Sequence, residues 1–263
     1  MTLLNLKTQT SLKQSIAQSM PVIVTVPDNS VLDIVNDYLS SLLPSSLIET
    51  VNDSESLTIE HVRELKGHLS LSKTGTNHVY CIDLTKSASN EAQNALLKLL
   101  EELHSYTKIV IYRTVHSKVL KTIESRSTKV DVAPTTEAQV QELYPKSGKE
   151  YIEKLYSFSN GDIAVILKYI DDQELFEAHI QQAKNYITAS PIDKIQILEK
   201  ELKAKSIDSY VQTLYSLSRA TLSVSSGSPD NWKKLMLATH EYLLNTNKRV
   251  NQKLNMLQLA QNS

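Results

Sequence analysis

The chemistry of a glycine-rich phosphate-binding loop can be tested first, because glycine is scarce in this chain. The chain of 263 residues has five glycines, and none of them precedes Gly67. A glycine-rich phosphate-binding loop needs backbone conformations that side chains forbid. We therefore expect no such loop in the first quarter of the chain.

Metal-binding and redox residues are also few. The one cysteine, Cys81, lies in the apolar run at residues 78–83, so this chain can build neither a disulfide framework nor a four-cysteine zinc site. The seven histidines show no HExxH motif and no paired spacing. We expect Cys81 to be a buried small hydrophobic residue, no metal site, and a location in the reducing cytoplasm.

Two charged residues remain as candidates for binding or catalysis. Asp83 ends an apolar run, and ligands bind at the carboxyl ends of strands in α/β sheets, so it could be a Mg²⁺ ligand or a carboxylate that fixes a loop. Arg126 stands between Ser125 and Ser127, and by itself it could be a surface residue paired with a carboxylate such as Glu124. The surrounding elements must distinguish these alternatives.

Composition limits the classes of partner. Hydrophobic residues make up 41% and charged residues 22%, which is typical of a globular protein, and the length suggests two or three compact units. With 28 basic and 29 acidic side chains, the net charge of -1 attracts neither nucleic acid nor an anionic membrane. Any contact with DNA must be local or shared with partners. Since no stretch approaches 18 apolar residues, membrane spanning and secretion are not expected.

The first 133 residues alternate strand-like and helical patterns. Short runs rich in β-branched residues predict five strands, at 21–26, 47–51, 78–83, 108–112 and 129–132. Helical periodicity separates them at 31–43, 58–70 and 89–104. This alternation predicts an α/β domain with a parallel sheet covered on both faces.

The clearest helix spans residues 89–104, with Ser89 as a plausible N-cap. One apolar stripe contains Ala92, Ala95, Leu96, Leu99, Leu100 and Leu103. The opposite, polar face contains Gln93, Asn94, Lys98, Glu101 and Glu102. Lys98 is spaced to pair with Glu102, four residues later.

The chain is predicted to be helical from Pro134 onward. Thr136 and Gln139 have the spacing of a capping box, and residues 159–162 indicate a glycine-terminated helix followed by an aspartate cap. Serine-proline pairs at 190–191 and 228–229 are typical of helix starts. We predict a small helical domain at 134–171 and a bundle of about five helices at 172–263.

Three segments in order, 79–84, 92–102 and 118–127, carry a family resemblance. A strand with an acidic end precedes a helix reading Ala-Gln-Asn-Ala-Leu-Leu-Lys-Leu-Leu-Glu-Glu, and a later helix ends in Ser125-Arg126. This chain resembles the bacterial DNA polymerase III clamp-loader family of the AAA+ superfamily, most closely its delta-prime subunits. The resemblance implies an AAA+-like sheet domain at 1–133, a helical lid at 134–171 and an all-α collar, which joins subunits, at 172–263.

The chain departs from the family's ATPase members at the nucleotide site. Residues 26–30 stand where those members have a glycine-rich loop, and Leu84 stands where they have a glutamate that activates water. The family's zinc module is absent, and Ser127 replaces a cysteine. We therefore expect the chain to bind no cofactor and to be inactive as an ATPase by itself.

The resemblance implies a role in trans for Arg126. In the family, the arginine after this serine reaches phosphates bound by a neighbouring ATPase subunit, so Arg126 is the candidate arginine finger and Ser125 its motif neighbour. The implied partners are gamma/tau-type ATPase subunits, the delta subunit, primer-template DNA as part of the complex and, indirectly, the sliding clamp. Two alternatives stay open: an adaptor with a different partner on an inactive AAA+ scaffold, and an autonomous nucleotide hydrolase with an unusual phosphate loop.

Overall fold

The structure is a computed structural model that describes residues 2–52, 56–71, 77–86, 88–102, 107–224, 230–246 and 251–263. Contacts divide the chain into two compact units. The first comprises residues 1–143 and 162–164, and the second comprises residues 144–161 and 165–263. The domain boundaries at 133 and 171 stay predictions.

A five-stranded parallel sheet forms the centre of the first unit. Its strands are β1 (Val22–Thr25), β2 (Ser46–Thr50), β3 (Asn77–Asp83), β4 (Thr107–Arg113) and β5 (Thr128–Asp131), in the order β2-β3-β4-β1-β5. Its helices are α1 (Leu6–Ile16), α2 (Leu32–Leu42), α3 (Ile59–Leu71), α4 (Asn90–Glu101), α5 (Lys121–Glu124) and α6 (Glu137–Leu143). Each strand begins and ends within one residue of its predicted bounds, which confirms the predicted α/β domain.

The alternation of side chains along β4 shows why helices cover both faces of the sheet. Ile109 and Ile111 point to one face, where they join a core cluster that includes Leu96 of α4. Tyr112 belongs to the other face, and its hydroxyl donates a hydrogen bond to Asn36 Oδ1 of α2 at 2.6 Å. A strand buried on both sides reads as a continuous apolar run, as this one does.

Two helices of the first unit begin at the predicted caps. Ser89 Oγ accepts a hydrogen bond from Ala92 N at 3.1 Å at the start of α4. Thr136 and Gln139 form the capping box before α6: Thr136 Oγ1 accepts from Gln139 N at 3.3 Å, and Gln139 Oε1 accepts from Thr136 N at 3.2 Å. Residues 103–104, at the predicted end of α4, lie outside the described residues.

The second unit is helical in its described part. It contains α7 (Lys149–Ser159), most of α8 (Ile163–Tyr169), α9 (Gln173–Thr188), α10 (Pro191–Lys203), α11 (Ile207–Val224), α12 (Asp230–Thr246) and α13 (Gln252–Asn262). The last five of these agree with the number predicted for residues 172–263. None of the helices described above is long and apolar enough to cross a membrane.

Local signals also set the helix ends in this unit. Asn160 has a left-handed backbone (φ 53°) and ends α7, and Gly161 follows with φ 77°. Ser190 Oγ caps α10 by accepting from Asp193 N at 3.3 Å, with Pro191 in the first turn. The cap predicted at 228–229 lies outside the described residues.

Candidate functional site

The loop after β1 is the segment in which the sequence predicts no glycine-rich phosphate-binding loop. Asp28 Oδ1 accepts hydrogen bonds from the backbone N–H and the hydroxyl of Ser30, and so caps the turn at Asn29–Val31 that leads into α2. Free N–H groups at a helix start are what binds an anion. Here the carboxylate of Asp28 occupies one of them.

The end of β3 carries Asp83 and Leu84. Asp83 is 1% exposed; its Oδ1 accepts from Thr85 N at 2.7 Å, whereas its Oδ2 has no hydrogen-bond partner. Its backbone is held by the side chain of Asn52, through bonds of 2.9 and 2.8 Å. The carboxylate therefore fixes the turn after β3. Leu84 is buried at 2% exposure and has no group that could activate water.

No cluster of three potential metal-binding side chains occurs within the described ranges. Cys81, in the middle of β3, is fully buried, as its apolar run predicts. Its Sγ lies 3.3 Å from Asn36 Oδ1, and burial raises the pKa of the thiol to about 11, although a hydrogen bond with Tyr112 opposes the shift. A protonated thiol in this setting packs as a small hydrophobic side chain.

Glu124, the last residue of α5, joins that helix to two strands. Arg113 at the end of β4 donates to Glu124 Oε1, and Lys129 Nζ lies 3.2 Å from Glu124 Oε2. Desolvation acts to raise the pKa of Glu124, but hydrogen bonds from Lys129 and Arg113 outweigh it and lower the pKa below its ordinary value. Both carboxylate oxygens are thus engaged by other cations. The carboxylate named as a possible partner of Arg126 is therefore taken by Arg113 and Lys129, and a different carboxylate pairs with Arg126.

Arg126 instead pairs with the end of α4. Its Nη2 lies 3.1 Å from Glu101 Oε1, and its Nη1 donates to the carbonyl oxygen of Thr122 at 3.2 Å. The two flanking serines end α5: Ser125 Oγ donates to Thr122 O at 3.1 Å, and Ser127 Oγ donates to Ile123 O at 2.8 Å. Ser127 is buried, while Ser125 is exposed.

The Arg126 guanidinium has the chemistry of an oxyanion ligand. The side chain is 47% exposed. A guanidinium carries five N–H donors in one plane and keeps its charge at every physiological pH. Thr122 and Glu101 bind two of its nitrogens. The remaining N–H donors can bind an oxyanion that belongs to another molecule. A phosphate oxygen of another molecule is such an anion.

Comparison with known proteins shows what this chain is similar to. Residues 36–136 match the family model of the DNA polymerase III delta subunit. Over 97% of both chains, the fold matches that of a DNA polymerase III gamma subunit-related protein from Thermotoga maritima, with a TM-score of 0.55 and 18% identity. Over residues 36–136 the chain is therefore similar to the DNA polymerase III delta subunit family. The likeness to the solved structure confirms the predicted fold, an α/β domain with a parallel sheet followed by helices.

Two further structures are similar to this chain at lower scores. A RuvB mutant of Thermotoga maritima matches with a TM-score of 0.48 and 11% identity, over 64% of this chain and 62% of that one. The DNA clamp loader delta protein of Bacillus subtilis matches with a TM-score of 0.40 and 12% identity, over 97% of this chain and 98% of that one. The search of curated proteins found no match.

Gln93 is the residue near the site that sequence reasoning misplaced. Its place on the polar face of α4 predicts exposure, yet it is 2% exposed. Its Nε2 donates to Lys118 O at 3.0 Å, and its Oε1 accepts from Leu120 N at 2.9 Å. A side-chain amide can be buried without leaving an unpaired polar group when its donor and its acceptor both form hydrogen bonds. The one sequence signal for this contact was that a glutamine side chain can donate and accept a hydrogen bond at the same time.

The paired glutamates at the end of α4 contact different elements. Glu102 pairs with Lys66 of α3 at 2.7 Å, whereas Glu101 pairs with Arg126. The predicted pair of Lys98 with Glu102 is therefore wrong, because a lysine from the neighbouring helix takes the carboxylate. The paired glutamates at the end of α4 thus contact both α3 and the arginine after α5.

Proposed function

We propose that this chain is a non-hydrolysing, delta-prime-like subunit of the DNA polymerase III clamp loader, which provides Arg126 in trans to ATP bound by a neighbouring ATPase subunit. The observation that carries the proposal is the half-exposed Arg126 guanidinium, held at the end of α5 with N–H donors to spare. A planar, permanently charged fork stabilises the charge that develops on a transferred phosphoryl group. Ser125 supports this presentation by ending α5 directly before the arginine.

Two features of the first unit support the absence of ATP hydrolysis in cis. The turn after β1 lacks glycine and is capped by the carboxylate of Asp28, whose negative charge opposes a triphosphate at that helix start. Leu84 is buried where a water-activating glutamate would be needed. The proposal includes no bound cofactor.

The proposed partners follow from the family role. They are gamma/tau-type ATPase subunits and the delta subunit, with the sliding clamp contacted indirectly and primer-template DNA bound by the whole complex. The helices after residue 172 would form the collar that joins the subunits. A net charge of -1 agrees with DNA contacts that are shared among subunits. Clamp loading would take place in the cytoplasm.

The test is DNA-stimulated ATP hydrolysis by the reconstituted cognate ATPase subunits, delta subunit and clamp. The wild-type chain should raise turnover, and Arg126→Ala should assemble but lose most of that gain, because removing an arginine finger costs on the order of 10³ in rate at its own site. Arg126→Lys keeps the positive charge but lacks the planar set of N–H donors, so it should also fail to stimulate turnover. Lys121→Ala removes an exposed cation from the same helix and should behave as wild type.

Other outcomes separate the alternatives. If wild type and Arg126→Ala assemble and stimulate equally, the chain is a clamp-loader scaffold without a finger. If neither assembles, an adaptor with another partner becomes the better hypothesis. Saturable ATP binding below millimolar concentration by the isolated chain would favour the autonomous hydrolase.

A further inference from the structure

We infer that Glu101 is a positioning residue for Arg126: it orients the guanidinium for the neighbouring subunit's nucleotide. This inference rests on the proposed function. Glu101 Oε1 contacts Nη2 at 3.1 Å, while Thr122 O accepts from Nη1 at 3.2 Å. Because the guanidinium is planar, contacts on two different nitrogens fix its orientation and leave its remaining donors in a defined direction.

An arginine at this place needs such a restraint. Its side chain has large rotamer freedom, and a donor that is ordered before the phosphate arrives avoids that entropic cost in the transition state. The helix that carries it, α5, has only four residues. The second contact of the guanidinium, to Thr122, comes from this same short helix and adds no anchor outside it.

Glu101 provides an anchor of a different kind, because α4 has twelve residues and is fixed in the core. Leu96, Leu99 and Leu100 of α4 belong to a buried hydrophobic cluster of the first unit. The same helix holds the backbone before α5 through Gln93. Thus α4 binds the arginine segment at two points, one on each side of α5.

The exposure of the pair makes the inference testable. The side chains of Arg126 and Glu101 are 47% and 48% exposed, so solvent screens their attraction and the pair adds little to stability. Removing Glu101 should therefore leave the fold intact. Glu102 supplies a matched control, since it ends the same helix, is 59% exposed and pairs with Lys66 instead.

The experiment measures DNA-stimulated turnover in the reconstituted complex for Glu101→Ala, Glu101→Gln and Glu102→Ala, together with the concentrations of subunit, DNA and ATP at half-saturation. Glu101→Ala should lower maximal turnover about threefold to tenfold, with the half-saturating concentrations unchanged, as expected for a lost orientation. Glu101→Gln should recover part of the loss, because its amide oxygen still accepts a hydrogen bond from Arg126. Glu102→Ala should match wild type.

Failures of the inference and of the proposed function give different results. If Arg126→Ala has no effect, the proposed function fails, and this inference fails with it. If Arg126→Ala removes stimulation but Glu101→Ala matches wild type, only the positioning role is overturned. Higher turnover with Glu101→Ala would also overturn it, since the carboxylate would then be holding the guanidinium in an unproductive orientation. A variant that combines Arg126→Ala with Glu101→Ala should lose no more turnover than Arg126→Ala alone. A further loss of turnover would mean that Glu101 acts by a route that does not involve Arg126.

Discussion

Leu120, the residue directly before α5, donates its backbone N–H to Gln93 Oε1 of α4 at 2.9 Å. The side-chain amide of Gln93 also donates a hydrogen bond from Nε2 to Lys118 O. One buried side chain therefore completes two backbone hydrogen bonds of a segment with no regular structure. This contact fixes where α5 begins, and with it the place of Arg126.

Gln93→Ala should destabilise the protein by about 1–3 kcal/mol, because it leaves two backbone groups of this segment without their partner. The change would be measured as the free energy of unfolding in urea. Asn94→Ala, at the exposed next position of α4, is the control and should cost far less. Equal effects for the two variants would mean that the Gln93 hydrogen bonds carry no net stability.

The lowered pKa of Glu124 predicts an acid-dependent loss of stability. A carboxyl group whose pKa is lower in the folded state stabilises the fold above its unfolded pKa of about 4.3 and loses that contribution as the pH falls through the folded value. Glu124→Gln should therefore narrow the stability difference between neutral and acidic pH. Glu142→Gln, at an exposed glutamate, should leave that difference nearly unchanged. A pH profile for Glu124→Gln identical to that of wild type would contradict the prediction.

Cys81 should resist thiol reagents in the folded protein. It is fully buried, and burial raises the pKa of its thiol to about 11, so the reactive thiolate is scarce and inaccessible. We expect labelling with a chromogenic disulfide reagent to be roughly a hundredfold or more slower than in the chain unfolded by guanidinium. The chain has one cysteine, so the signal reports this position alone. Rapid labelling of the native protein would mean that β3 opens readily.

Phe176 should be a main source of stability in the second unit. It is 1% exposed, and its ring makes edge contacts with those of Tyr151, Phe158 and Tyr169 at centroid distances of 5.8, 5.3 and 5.3 Å. Phe176→Ala should cost about 3–5 kcal/mol of unfolding free energy, because it leaves a cavity among these rings. Leu175→Ala changes the preceding, 37% exposed residue and should cost much less. A similar loss for both variants would contradict this account.

The sequence predicted most of the architecture because the relevant signals are local. Apolar runs rich in β-branched residues located the five strands. A serine, a capping box and a serine-proline pair located the caps of α4, α6 and α10. A cap needs only the geometry of one turn, which is readable from spacing. The trans role of Arg126, by contrast, rested on a family resemblance and stays a proposal.

Polarity alone misled the sequence reading where the partner is distant along the chain. Gln93 was assigned to a solvent-facing surface because a helical wheel sorts residues by polarity, yet its partners lie 25 and 27 residues away. The pair of Lys98 with Glu102 failed for the same reason, since Lys66, 36 residues earlier in the chain, takes that carboxylate.

The sequence by itself determined the strands, the described helix caps, the lack of glycine after β1 and the order of motifs on which the family resemblance rests. Only the tertiary structure decided which charges meet: Glu124 with Arg113 and Lys129, and Glu101 with Arg126. The physical reason is that an ion pair depends on distances of a few ångströms between elements. Such distances follow from how α4 and α5 pack on the sheet, and no local spacing encodes them.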